Sequence, residues 1–172
     1  MSGYSEIFYI MFSMIIFSMI LTNSNRLIHR NSTIQIEGEL EQEVIALAQA
    51  VIEESQTKKF DEVNVDQSLP PVNIPGDFIN NVNLGTDSGE ISRSDYDDFD
   101  DYNGHTETVT TVHGDFDISV EVFYVDETNN EYQAAKSTFK KIIVTIQSEF
   151  LRNNAGEINS YSLEFIRNYY AD

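Results

Sequence analysis

Between Glu6 and Arg26 the chain carries nineteen residues without a charge, and from Ile7 to Leu21 every one is apolar or aromatic except Ser13 and Ser18. Five Ile, three Phe and one Leu, each favouring insertion by roughly 0.5 kcal/mol, bring the transfer of this segment into hydrocarbon to about 4 kcal/mol in favour. A helix of these residues is expected to lie in a bilayer or in the apolar core of an assembly. A cleaved signal peptide is the rival reading. The segment lacks the basic start and the A-x-A-like cleavage site that such a peptide carries. Arg26, His29 and Arg30 come after the segment and only Glu6 precedes it. Taken alone, that asymmetry places the rest of the chain on the cytoplasmic side.

The remainder of the 172 residues is enough for one modest head. Between Glu37 and Lys59, Leu40, Val44, Leu47, Ala48, Val51 and Ile52 recur at spacings of three and four among Glu and Gln, the pattern of an amphipathic helix. The stripe suits a coiled-coil partner or the head's own sheet, and the second is the expectation. Before Pro70 there is no proline, and only Gly38 clearly weakens the stretch from Ser5 to Thr57. One helix running through both halves would be roughly 80 Å long. The polar span Asn23 to Thr33 is the place where it could instead break.

From Phe60 to Thr108 the texture changes to Pro70, Pro71, Pro75, Gly76, Gly85, Gly89 and Gly104 among Asp, Asn and Ser, which reads as a long connecting region with turns. Alternating runs come next: Phe116 to Tyr124, Ile142 to Ile146, and Tyr161 to Phe165. Each has the period of a strand with one buried face. Turns at Asn129-Asn130 and Asn154-Ala155-Gly156 make neighbouring strands antiparallel. The expected fold is α+β: an N-terminal helix over residues 1–57 with its anchor at about 7–25, a connecting region over 58–108, and a three- or four-stranded antiparallel sheet over 109–172, packed on the helix.

The balance of 29 acidic against 10 basic residues, a net charge of −19, argues against a nucleic-acid partner, which needs clustered Lys and Arg. With no cysteine the head has no disulfide, so it relies on apolar burial, assembly or a bound ion. There is also no G-x-S-x-G and no phosphate loop, so no enzyme is expected. His105 and His113, near Asp101 and Asp115, fit no recognised metal-ligand spacing. The acidic segment Asp95, Asp97, Asp98, Asp100, Asp101 with Asn103 and Gly104 invites a calcium reading, because calcium takes six to eight oxygens. It is not an EF-hand, since that register puts Phe99 at the first ligand and Thr110 where Glu is needed. The plain alternative is a solvated acidic turn. Tyr96, Phe99 and Tyr102, three apart, suggest a short helical turn whose aromatic face packs on the sheet.

An apolar N-terminal helix that continues into an amphipathic half packed on an antiparallel sheet resembles the type IV pilins and the pseudopilins of type II secretion. The run VIALAQAVIEESQTKKFDEV, residues 44 to 63, is similar to the family's ALAQSLLEE-type helix followed by a Phe-Asp turn. The run LGTDSGEISRSDYDDFDDYNG, residues 84 to 104, is similar to the DDxDDYNG segment of minor pilin-like proteins of the mannose-sensitive haemagglutinin pilus type. The resemblance implies a structural, filament-forming subunit with other pilin-like subunits as partners, a single pass through the inner membrane and a head outside the cytoplasm. Family members begin with a basic leader ending in Gly and carry Glu at the fifth position of the mature chain. Here no basic residue precedes the helix, and Gly3 would put Glu6 third. Removal of Met1 before the small Ser2 makes Glu6 fifth, and a start misassigned downstream of a true leader would look the same. The resemblance then gives Glu6 and Ser2 an assembly role, with the Glu6 carboxylate meeting the N-terminal amine of a neighbouring subunit. A carboxylate at the membrane is costly unless paired. The alternative is a flank charge among the lipid headgroups. Some pseudopilins bind calcium in their C-terminal loops, which keeps calcium open for the acidic segment. The competing function is a lone single-pass, membrane-tethered extracytoplasmic binding module or adhesin, with calcium as an optional ligand.

Overall fold

The computed structural model describes residues 2–65, 71–152 and 156–171, and the side chain of Ser2 lies outside that description. Pro70, Asn154 and Ala155, which served as turn markers in the sequence, also lie outside it. A single helix, α1 (Ser2–Gln56), is followed by irregular chain with short 3-10 turns, then β1 (Thr106–Thr111), β2 (Gly114–Tyr124), β3 (Phe139–Arg152) and β4 (Ile158–Asn168). The chain divides into two compact units, Met1–Glu41 and Gln42–Asp172.

Asn23 to Thr33 does not interrupt the helix. The hydroxyls that could compete with helical hydrogen bonds instead fold back on it: Ser13 donates to the Ile10 carbonyl, Thr22 to Ser18 and Thr33 to His29, at 2.9, 2.9 and 3.0 Å. Gln35 and Glu39, one turn apart, share a side-chain hydrogen bond of 2.9 Å.

The sheet is a meander in the order β1-β2-β3-β4 with every pair antiparallel. Its parity follows the expected alternation. Phe116, Ile118, Val120, Val122 and Tyr124 of β2 are buried together with Ile142, Val144 and Ile146 of β3, and the residues between them face out or are only half-buried. In the second unit the helix covers this face with Val44, Ala48, Val51 and Ile52, all buried, while Leu47 at the edge of the stripe is half-buried. Burying each such aliphatic side chain contributes about 1.5 to 3 kcal/mol.

Two features depart from the sequence reading. β1 begins at Thr106, inside the stretch read as connecting region, because TETVTT carries one apolar residue and gives no alternation of hydrophobicity. The aromatic trio is spread over two 3-10 turns instead of one: Tyr96 follows Arg93–Asp95, Phe99 precedes Asp100–Tyr102, and Tyr102 ends the second. The trio still packs inward. Tyr96, Phe99 and Tyr102 are buried, with Tyr96 edge-on to Tyr102 at 5.1 Å.

The division at residue 41 leaves the sheet and its covering helix face within one unit. Deleting residues 1–33 should therefore give a water-soluble head with the circular dichroism of a folded α+β protein and no membrane partitioning. A fragment that still sediments with vesicles would show a second membrane-binding element.

Candidate functional site

Three places in the molecule bear on function, and the first is the N-terminal half of α1. Its apolar side chains are uncovered: Phe8, Phe12 and Phe17 are 78, 63 and 63% exposed, and none of the hydrophobic window is buried in the chain. The helix is long and apolar enough to span a membrane, with a mean hydropathy of 1.8. Glu6 lies at its outer end and is exposed.

The second place is the acidic segment, where most of the carboxylates are occupied in bracing the chain. Asp95 accepts from the Ser92 hydroxyl at 2.8 Å and the Ser92 amide at 3.0 Å, and these donors hold its carboxyl below the usual range. Asp98 and Asp101 cap each other's turn. Asp98 Oδ1 accepts from the amides of Asp100 and Asp101 at 2.7 and 3.2 Å, and Asp101 Oδ2 from those of Asp97 and Asp98, both at 2.9 Å. Asn103 donates to the Leu84 carbonyl and accepts from the Val122 amide, each at 2.9 Å, tying the segment to β2. Asp100 turns inward to Lys140.

The carboxylates that do converge are Asp97, Asp101 and Glu90, one oxygen from each within 4.8 Å. Glu90 was not among the sequence-read candidates, since it lies outside the DDxDDYNG run and a fold in the connecting region brings it back. Three oxygens are half of calcium's usual six or more. Burial, then a hydrogen bond that Asp101 donates to the Glu90 carboxylate, pushes Asp101 up to about 7 against the pull of the Asp98 amide, and burial followed by Glu90 and Asp87 raises Asp97. Nearby, burial and then the charges of Asp87, Asp97 and Glu90 push Glu62 up to about 7. The histidines take separate partners: His105 pairs with the Tyr96 hydroxyl at 3.0 Å, and His113 with Glu43. Neither belongs to a metal-ligating group among the described residues.

The third place is a buried charge cluster. Lys140 is 0% exposed, and its ammonium donates to the Phe60 carbonyl and to Asp61 Oδ2, both at 2.8 Å, and to Asp100 Oδ1. Asp61 is equally buried and also accepts from the Ile79 amide at 3.1 Å and from the Tyr124 hydroxyl at 2.9 Å. The Phe60 and Tyr124 rings lie 4.8 and 5.3 Å from the ammonium. Burial, then the charge of Asp61, raises the Tyr124 hydroxyl, keeping it a donor. Lys140 also escaped the sequence reading, though a signal was present. It shares the parity of Ile142, Val144 and Ile146, so a strand with that face inward buries the lysine as well.

The raised carboxyls fix the sign of a pH effect. Glu62 and Asp101 titrate near 7 in the folded chain against 4.5 and 3.8 ordinarily, so between about pH 4 and 7 the folded state holds protons that the unfolded state has released. Their stabilisation is full below the ordinary values and is lost as pH rises through 7. The Tm should fall from pH 5 to pH 8, and Glu62→Gln should narrow the gap. Calcium at pH 8 tests the ion reading directly: a Tm rise reversed by chelation shows a bound ion. An unchanged Tm leaves protons as the only ligands of this patch.

These geometries stand without a precedent to lean on: no family model, curated protein or solved structure matches the chain.

Proposed function

We propose that the chain is a structural subunit of a pilin-like filament, held in the cytoplasmic membrane by the N-terminal half of α1 before assembly and packed through it against other subunits afterwards. The observation that carries this reading is the uncovered apolar half of a helix that continues without a break into the face covering the sheet. An apolar surface of this size needs lipid or protein around it. Helix-on-helix packing in a filament core replaces one by the other. Glu6 carries the only charged side chain before Arg26, and the N-terminal amine of the next subunit neutralises it in the core.

The second reading is a lone extracytoplasmic tethered module; Arg26, His29 and Arg30, which by the positive-inside rule keep their end of the helix cytoplasmic, weigh against an outside head in either reading. A filament subunit needs its head outside. Protease added to intact cells should digest the head, and electron microscopy of sheared surface material should show filaments labelled by an antibody to it.

Glu6→Gln keeps the size and removes the charge, and Glu6 belongs to the first compact unit while the residues that cover the sheet belong to the second. Membrane levels and head stability should hold while incorporation into filaments falls at least tenfold, the effect of about 1.4 kcal/mol per contact. Assembly at the wild-type level would remove Glu6 from the mechanism and favour the tethered module.

A further inference from the structure

The Lys140 cluster has a chemical consequence independent of the filament reading. A primary amine and a carboxyl are held in contact in a site from which water is excluded: Lys140, Asp61, Asp98 and Asp100 are 0, 0, 1 and 2% exposed. Ammonium and carboxylate in water do not condense. Held together in a dry site, two such groups gain effective molarities of about 10⁵ M or more. The product, a neutral amide, also abolishes two buried charges.

The two aspartates that touch the amine are not equivalent. Asp61 has both oxygens occupied by outside donors, Oδ1 by the Val63 and Ile79 amides and Oδ2 by the Tyr124 hydroxyl. These donors fix the Asp61 carboxyl in place, with Oδ2 at 2.8 Å from the amine whose proton it can take. Asp100 instead sits on Asp98, donating its amide to Asp98 Oδ1 at 2.7 Å. A carboxylate oxygen buried without a donor is costly unless it carries a proton. Asp98 Oδ2 is buried and meets no amide, hydroxyl or ammonium donor, which marks it as the oxygen with the proton to give.

We propose that the Lys140 amine and the Asp100 carboxyl condense to an intramolecular amide that covalently ties β3 to the acidic segment. Lys140 passes one proton to Asp61, and the freed lone pair attacks Asp100 Cγ while Asp98 gives its proton to an Asp100 oxygen. The N–C bond forms, and the C–O bond breaks. The departing oxygen leaves as water with the proton from Asp98 and the one held by Asp61, and the second amine proton returns to Asp98. One ammonium and one carboxylate become one amide and one water, and no oxidant or activated co-reactant is needed. The bond closes the chain between residues 100 and 140, a covalent brace for a head without cysteine.

Intact mass spectrometry of the full chain in detergent reads the bond directly. The expected mass is one water below that of the sequence. Proteolysis should yield a branched peptide joining the segments of Asp100 and Lys140, and in denaturant Lys140 should resist an amine acylating reagent. Lys140→Ala and Asp100→Ala should each restore the missing water. Asp98→Asn keeps the shape and a donor toward Asp100 but has no acidic proton to transfer, so the folded variant should cross-link at least about 100-fold more slowly. A wild-type chain of full mass with an acylated Lys140 overturns the proposal, as does a lost water without the branched peptide. Asp98→Asn reacting at the wild-type rate overturns the role given to Asp98.

Discussion

The head is organised around a cation placed inside its core. Strand β3 needs its even-numbered residues inward to bury Ile142, Val144 and Ile146, and that parity forces Lys140 in as well. An ammonium in such a place is tolerated only with anions and carbonyls around it. The chain meets that demand from segments that have little regular structure. Phe60 and Asp61 come from just beyond the helix, and Asp100 comes from a 3-10 turn. The charge therefore fixes where the irregular region must pass. Around it, Phe60, Phe78, Leu84 and Tyr124 close into an apolar cluster to which Tyr169 contributes an edge-on contact at 5.4 Å from Phe60. Arg167 does a related job one strand further out. It donates to the Ser55 and Lys59 carbonyls, where the helix ends and its carbonyls need partners.

This dependence explains which parts were legible beforehand. Helix and strands announce themselves by period, because each is a repeating structure with one apolar face; the helix stripe and strands β2, β3 and β4 stand where periods of 3.6 and 2 place them. β1 did not announce itself. Its pairing with β2 rests on backbone hydrogen bonds and on Thr108 and Thr110 bonding to Asp117 and Asp115 across the strands, which leaves no hydrophobic rhythm to read. The acidic segment was visible as composition, but composition does not say which carboxylates point at each other. Asp95, Asp98 and Asn103 proved to be braces, and the convergent partner of Asp97 and Asp101 was Glu90, outside the stretch Asp95 to Gly104 that invited the calcium reading. Proximity made by a fold in irregular chain has no period and so leaves no trace in the sequence.

The charge of −19 sets a condition on any assembly of this chain. Like-charged heads repel, and at physiological salt that repulsion is screened beyond about 8 Å. Heads brought into contact by packed helices approach closer than that. Part of the negative charge is already hidden: Asp61, Asp98, Asp100 and Asp101 are buried, and burial raises the carboxyls of Asp101 and Glu62 to about 7. An acidic patch that takes up protons near neutrality reduces its own repulsion most readily where two such surfaces meet. The same groups that lower the stability of the free head at high pH would thus make any association of heads sensitive to pH.

Why a lysine stands at the centre at all is the sharper question. Replacing a buried ion pair by apolar residues of similar volume is often neutral or stabilising, by about 1 to 4 kcal/mol. A methionine at position 140 would spare the desolvation of an ammonium and free Asp61 and Asp100 to be apolar too. Ionic attraction alone is therefore a weak reason for this arrangement. The geometry makes more sense if the charges are reactants and not the final state. Two aspartates with different partners, one ringed by donors and one resting on a buried carboxyl with an unpartnered oxygen, are more than an ion pair requires. They supply what an amine and a carboxyl lack in water: a base, an acid and a dry place to meet. Once joined, the amide needs neither counter-ion, and Asp61 keeps the Ile79 amide and the Tyr124 hydroxyl as its partners.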